Sequence, residues 1–368
     1  MSAALICDRP PLRLLVKGAM KGAIRMVEAA FLNHLRAIAP RLNALMDRFS
    51  EARVLVAGDL TLDEFLTGQV ERLSREAPVL ILRHEETRQI PGGGANAVYN
   101  LAKLGAQVKA VGLVGKDEQG AVLRRIFEAA GIDTTGILLD GDRPTVTKTR
   151  ISGHARQSVT QQIVRVDRKS DALADPDLQL ALADYIRQHL GTVDAVVCSD
   201  YGDGVLSAPV IEAALQHSLT VVDTQTDLHR FAGATVFTPN LPEAEKAVGY
   251  GIDGWHRLEQ AGADLLRLTR AQHMLITRGE EGMSLFSQDG SQHAIPAFNR
   301  TDVFDVTGAG DTVVAALTLG LIVGATPLEA AILGNLAASI VVRQFGTATT
   351  SVAEMKAALR SLVEPSQY

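Results

Sequence analysis

Asp305-Val306-Thr307-Gly308-Ala309-Gly310-Asp311-Thr312, followed at once by the apolar run Val313–Val323, is the stretch from which the rest of this 368-residue chain can be read. Three small residues ahead of a helix let the backbone come close to a bound anion. The first N–H groups of that helix lack intrahelical partners, and the helix dipole adds partial positive charge there. An acid on the same spot, Asp311, makes little sense if the site only holds phosphate, because two negative groups repel. It makes sense if a phosphoryl group is being transferred and the acid meets the attacking hydroxyl. A plain glycine turn with a capping aspartate accounts for the same residues without any chemistry.

Outward from this segment, short β-branched apolar runs alternate with helical patterns from about residue 51. The runs are Val54–Ala57, Ala110–Val114, Ala195–Cys198, Thr220–Val222, Thr235–Phe237 and Met274–Ile276; the helical stretches between them include Ala95–Leu104, Gly120–Ala130, Asp177–Leu190 and Ala261–Ala271. Continuous apolar strands separated by helices predict a mostly parallel sheet covered on both faces, an α/β fold. Gly58-Asp59, Ser199-Asp200, Asp223, Asn240 and Thr277 each follow a strand. In such sheets ligands bind beyond the carboxyl ends of the strands, so these side chains are expected on one rim. Each taken alone reads first as a turn former; five on one edge are harder to dismiss.

Two segments break the rhythm. Residues 64–88 and 145–167 alternate with period two, as in Thr147-Lys148-Thr149-Arg150-Ile151 and Gln162-Ile163-Val164-Arg165-Val166. They predict a small sheet with one wet face, a lid over the rim. Residues 1–50 differ again. Ile24, Val27, Phe31, Leu35, Ile38, Leu42, Leu45 and Phe49 form one apolar helical face, which Pro40 is expected to break or kink. From Lys17 to Arg53 there are seven Lys/Arg against three Asp/Glu. The division expected is a helical extension over 1–50 and a main domain over 51–363, with the extension docked on that domain or on a partner subunit.

Composition excludes several classes. Hydrophobic residues make up 46% and charged residues 21%, as in a globular domain. The net charge of −6 speaks against nucleic acid as a partner. Cys7 and Cys198 are the only cysteines and suggest neither a disulfide framework nor a metal site. No apolar stretch reaches the roughly 18 residues of a transmembrane helix, and Asp8, Arg9, Pro10 and Pro11 interrupt any secretory core. A soluble cytoplasmic protein is expected.

Other segments carry candidate chemistry. Pro91-Gly92-Gly93-Gly94-Ala95-Asn96 opens a helix that Gly105 is placed to end; the glycines let a sugar ring lie against backbone, and Asn96 can donate to and accept from hydroxyls. Tight turns need the same glycines. Asn240-Leu241-Pro242-Glu243 begins another helix, where Glu243 reads as dipole compensation or as an acid orienting Mg²⁺ through water. Thr277-Arg278-Gly279-Glu280-Glu281-Gly282 either touches nucleotide phosphates or merely leads into the strand Met283–Phe286. Thr326-Pro327-Leu328-Glu329 is a capping box for a helix through Val342. Asn335, Ala337 and Ala338 on that helix leave room for an adenine ring or for close packing.

Gly92–Gly115 together with Asp305–Thr318 resembles the two signatures of the ribokinase-like (PfkB) carbohydrate kinases, and Asn240–Glu243 and Thr277–Gly282 are similar to further motifs of that family. Within it, Gly58–Asp63, Ser74–Val79, Thr147–Arg150, Ser199–Tyr201 and Thr238–Leu241 most resemble the branch that acts on D-glycero-D-manno-heptose 7-phosphate. Asp203-Gly204 stands where that branch has Lys-Gly, and Asp223-Thr224-Gln225 where it has Asp-Pro-Lys. The resemblance implies a three-layer α/β/α sandwich with a small β-sheet lid. It also implies ATP-dependent phosphorylation of a sugar or sugar phosphate, with Mg²⁺, room for a monovalent cation, and pairing of two copies through the lid strands. Asp311 would then take the hydroxyl proton while Gly308, Ala309 and Gly310 cradle the transferring group. Asn240, Glu243, Thr277, Gly279, Gly282, Thr307, Asn335 and Ala338 would serve ATP, with Glu243 at the metal. Asp59, Asp63, Gly92, Gly93, Asn96 and Asp200 would hold the sugar, and Lys148, Arg150 and Arg165 a phosphate already on it. Fructose, fructose 6-phosphate and nucleosides stay open as acceptors, as does a sensing protein of the same fold without catalysis.

Overall fold

Val54 and Val56 of the first strand pack into one apolar core, while Leu55 and Ala57 between them pack into another, and all four are buried. A strand buried on both faces has helices on both sides, which is the three-layer arrangement that the apolar runs predict. The computed structural model describes residues 12–155, 160–299 and 303–364, with side chains from residue 29 onward.

In chain order the elements begin with α1 (Leu12–Asp47), β1 (Arg53–Gly58), β2 (Leu60–Leu73), β3 (Leu80–Gly93), α2 (Gly94–Lys103), β4 (Gln107–Gly115), α3 (Glu118–Ala129) and β5 (Asp133–Asp140). Then come β6 (Val146–His154), β7 (Gln161–Arg168), α4 (Pro176–His189), β8 (Ala195–Asp200), α5 (Ala208–Ala214), β9 (Thr220–Thr224) and β10 (Val236–Phe237). The last part holds α6 (Leu241–Val248), α7 (Trp255–Thr269), β11 (His273–Thr277), β12 (Met283–Ser287), β13 (Gln292–Ile295), α8 (Ala309–Ile322), α9 (Pro327–Val341) and α10 (Val352–Val363).

The main sheet has the order β13-β12-β11-β10-β9-β8-β1-β4-β5. It is parallel from β11 to β5, and β12 and β13 close it antiparallel. Parallel strands put all their carboxyl ends on one rim, so Asp59, Asp200, Asp223 and Asn240 do share an edge. The separate sheet β3-β2-β6-β7 is the lid. It is longer than the alternation at 64–88 suggests, because β2 begins at Leu60 and β3 ends at Gly93. The first six residues of β2 are buried, which erases the period-two signal there. The hairpin therefore runs from Asp59 directly into the glycine triplet.

Pro40 does not end α1, a correction to the expected break: one helix spans Leu12–Asp47 with Pro40 inside it. Buried Leu35 and Ala39 before it and Leu42, Leu45 and Met46 after it belong to the same core as α8–α10. Fixed on both sides, the helix has no free end to swing away. Phe31 and Ile38 are partly buried against that core, while the side chains of Ile24 and Val27 lie outside the described residues. The docking also engages the far end of α8. Arg48 donates to the Val323 carbonyl at 2.8 Å, and Arg41 to the Gly324 carbonyl at 3.0 Å while pairing with Glu329. Cations at a helix C-terminus oppose its negative dipole end.

Candidate active site

Gly308, with φ 77°, is the N-cap of α8 and turns the chain from an extended approach into the helix. A Cβ there would sit 2.5 Å from Asn96 Nδ2, so only glycine lets α2 and α8 meet at their first turns. Asp311 is buried on the inner side of this turn. Its Oδ2 accepts from Asn96 Nδ2 at 2.8 Å and its Oδ1 from the Tyr201 hydroxyl at 2.9 Å. Asn96 is itself held, its Oδ1 accepting from Asn100 at 3.0 Å, and Thr312 donates to Asn100 Oδ1 at 3.0 Å. The glycine triplet and the anion cradle thus stand on the same rim, joined through side chains.

Burial pushes the Asp311 carboxyl up to about 6, although the hydrogen bonds from Asn96 and Tyr201 pull it down; Asp63 adds to the rise and Lys148 opposes it. Of the three cradle residues, Ala309 spends its N–H on the Val306 carbonyl at 3.2 Å, so the expectation that all three point at the ligand is corrected. Among the described residues no hydrogen bond uses the N–H of Gly308 or Gly310, and a Cβ at Gly310 would meet nothing within 4 Å. That combination, a buried acid beside open helix-start amides, is suited to anion chemistry.

The model of the pfkB family of carbohydrate kinases matches residues 52–354. The chain belongs to that family. It is similar to the "Bifunctional protein HldE" of Pelobacter propionicus, 40% identical over 320 residues that make up 85% of this chain and 64% of that protein. The protein of the same name from Geobacter sulfurreducens is 42% identical over 313 residues, 83% of this chain and 62% of that one. The chain therefore spans just under two thirds of the length of these curated relatives. Among solved structures, Arabidopsis thaliana ribokinase complexed with ribose and ATP superposes with a TM-score of 0.65 at 19% identity, covering 86% of this chain and 99% of that one. Phosphofructokinase-2 from Escherichia coli in complex with potassium gives 0.68 at 17% identity, covering 85% and 100%. At these identities the likeness establishes the ribokinase-like fold.

In this pfkB kinase the rim residues divide by what already occupies them. Asp59 accepts backbone N–H groups of Tyr201, Asp203 and Val205 at 2.8, 3.1 and 3.0 Å, and burial pushes its carboxyl up to about 6. Asp200 accepts from Thr224, Thr226, Arg230 and the Gly202 N–H. Both expected sugar contacts are thus engaged in holding loops. Asp63 pairs with Arg150 at 2.8 Å, and Gly92 packs so close that a Cβ would touch the Asp63 carboxylate. Gly93 needs its φ of 52° to pass Thr61.

The three candidate phosphate cations also part ways. Arg150 is committed to Asp63, and its guanidinium lies over the Phe65 ring. Arg165 stands opposite Arg150 in the lid ladder but is half exposed and paired with Asp167 at 2.8 Å. Lys148 has no ion pair among the described residues; its ammonium lies 5.5 Å from the centre of the Tyr201 ring, on the Asp311 side of the lid.

Among the residues expected to serve ATP, Asn240 and Glu243 form a reciprocal capping box, each side chain accepting from the other's backbone N–H. Asn240 bridges to Thr277 across the sheet edge. Burial raises Glu243, and burial with the charges of Asp311 and Glu243 pushes half-buried Asp223 well above the usual carboxylate range. Gly282 has φ 85° and lies where any Cβ would strike the Ile295 carbonyl; Gly279 has φ 56° with open space around it. Thr307 is exposed and donates to Asp305 Oδ1 at 2.7 Å. Asn335 and Ala338 are buried, and Asn335 donates to the Pro296 carbonyl at 2.7 Å, which ties α9 to the loop after β13. Tyr201, Asn100 and Thr312 are the members of the Asp311 network that motif reading passed over. Tyr201 is the third residue of Ser199-Asp200-Tyr201, and Asn100 lies one helical turn after Asn96.

Proposed function

We propose that this kinase transfers the γ-phosphoryl group of ATP to a hydroxyl of a sugar that already bears phosphate, D-glycero-D-manno-heptose 7-phosphate yielding the 1,7-bisphosphate. The observation that carries the reading is the Asp311 carboxylate, fixed at both oxygens beside the amides of Gly308 and Gly310, with Lys148, which has no ion pair among the described residues, facing it from the lid. Lifted to about 6, Asp311 is a stronger base than an ordinary aspartate yet still mostly ionised at neutral pH. It orients the sugar hydroxyl and takes its proton late, as a loose phosphoryl transition state permits. The α8 amides stabilise the charge on the transferring group, and the lid keeps water out. Lys148 meets the phosphate already on the sugar; Arg150 and Arg165, engaged with carboxylates, contribute less.

Mg²⁺ suits the nucleotide end. Burial raises both Asp223 and Glu243, and neighbouring carboxylates add to the rise at Asp223, which a divalent cation held at Glu243 would relieve. Among the described residues no group of three or more His, Cys, Asp or Glu forms a protein-only cage. Glu243 would hold such an ion through water, and the ion would neutralise phosphate charge. Residues 51–363 form the kinase unit and 1–50 an extension to it. Strand β7 is exposed along its whole length and carries Ile163, Val164 and Val166, which supports pairing of two copies through the lid. No helix of the described residues is long and apolar enough to cross a membrane, and a cytoplasmic site of action, where ATP is made available, fits that.

The test is a coupled ADP-release screen with heptose 7-phosphate, fructose, fructose 6-phosphate, ribose and nucleosides. The reading expects heptose 7-phosphate to give the highest kcat/KM. A higher value for any unphosphorylated sugar rejects the phosphosugar assignment, and tight ATP binding with no ADP release from any acceptor rejects catalysis.

A further inference from the structure

Tyr201 joins three parts of the site. Its backbone N–H is pinned by Asp59 at 2.8 Å, so the loop after β8 is anchored to the loop after β1. Its hydroxyl donates to Asp311 Oδ1 at 2.9 Å, and its ring lies under Lys148 of lid strand β6. Gly202 and Gly204, with φ 79° and 94°, let the chain curl so that Asp203 and Val205 also reach Asp59, which leaves the phenol no freedom to drift. We infer that Tyr201 is a positioning residue for Asp311, its hydroxyl fixing the plane of the carboxylate and its ring seating Lys148 above it.

This inference rests on the kinase reading for its rate effects but not for the pairing itself. The groups facing Asp311 are Asn96 from α2, Tyr201 after β8, Asp63 from β2, Lys148 from β6 and Asp223 in β9; Asp223 and Glu243 from α6 face Tyr201 in turn. Asn96, Tyr201 and Lys148 favour the charged form of Asp311, and Asp63 disfavours it. Removing the Tyr201 hydroxyl subtracts one of the favourable contributions, so Asp311 holds its proton to a higher pH. A hydrogen bond to a charged group corresponds to about one pH unit.

Two measurements on the full chain test the idea, with Y201F, Y201A and D311N as variants. The first needs no substrate. A phenol bonded to a titrating carboxylate changes its ultraviolet absorbance as that carboxylate ionises. The parent is expected to show a tyrosine difference signal with its midpoint at about 6, missing from both Y201F and D311N. A signal that survives in Y201F, or none in the parent, overturns the pairing. The second is the pH profile of turnover. Y201F is expected to move the acid limb up by about one unit, which cuts kcat about twofold at pH 7 and close to tenfold at pH 5, with KM for ATP unchanged. Y201A is expected to show the same shift and in addition a raised KM for the sugar phosphate, since Lys148 loses its seat. An acid limb left in place in both variants overturns the positioning role. Should the parent phosphorylate no acceptor, the kinase reading fails while the absorbance signal still decides the contact.

Discussion

Asp59 and Asp311 are both buried carboxylates on the same rim, both pushed by burial up to about 6, and they differ in what holds them. Asp59 faces three backbone N–H groups of one loop. Asp311 faces two side-chain donors and the open start of a helix. Backbone donors cannot be withdrawn without moving the chain, so the first acid is part of the scaffold. Side-chain donors leave lone pairs that a hydroxyl can still reach, so the second is available for chemistry. A raised carboxyl by itself does not separate the two acids; their donors do.

The sharpest break of this comparison comes from Asp311→Asn. It is expected to lower turnover by roughly 10²–10⁴ while ATP binding, followed by calorimetry, stays near that of the parent. Asp59→Ala should fail in the other way. Three N–H groups, that of Val205 fully buried, lose their acceptor, and denaturant unfolding is expected to show a loss of roughly 3–5 kcal/mol. Turnover per folded molecule that drops as far as in the Asp311 variant would erase the distinction.

The same Asp311→Asn change should stabilise the fold, by on the order of 1–3 kcal/mol at pH 8. The sign follows from linkage. A folded-state carboxyl near 6 against an ordinary 3.8 binds its proton more tightly when folded, so this group costs stability as pH rises from about 4 to 6. The gain should therefore vanish below about pH 4, which thermal melts across pH would reveal. The smallest effect belongs to the lid. Lys148→Ala is expected to raise KM for a phosphosugar about tenfold and to leave a plain sugar unaffected, while Arg165→Ala, already paired with Asp167, moves neither. Equal shifts for both acceptors would remove Lys148 from the phosphate.

Much of this architecture is legible in the chain. Strands β1, β4, β8, β9, β10 and β11 are continuous apolar runs because both faces are covered, and the cradle at 305–312 stands out through its small residues. Strand β5 escapes notice because Thr134, Thr135 and Gly136 dilute its apolar character. The lid is legible only where it is wet; its inner half is buried and loses the alternation. At the site, Asp311 and Asn96 are legible from their motifs, but the engagement of Asp59 by a loop about 140 residues further along, and of Asp200 by Thr224, Thr226 and Arg230 at and beyond the end of the next strand, is not, because hydrogen bonds between separate loops leave no local pattern. Tyr201 is missed for the same reason: a single aromatic after a strand reads as packing until its hydroxyl is seen at Asp311.

Helix α8 carries its acid at one end and is gripped at the other by Arg41 and Arg48 of the first fifty residues. The amino-terminal segment is therefore a mount for the helix that carries Asp311 as well as a cover for the core. Any engineering that shortens the protein from its front should expect the rear bearing of that helix to loosen, and with it the aim of the carboxylate more than three turns away.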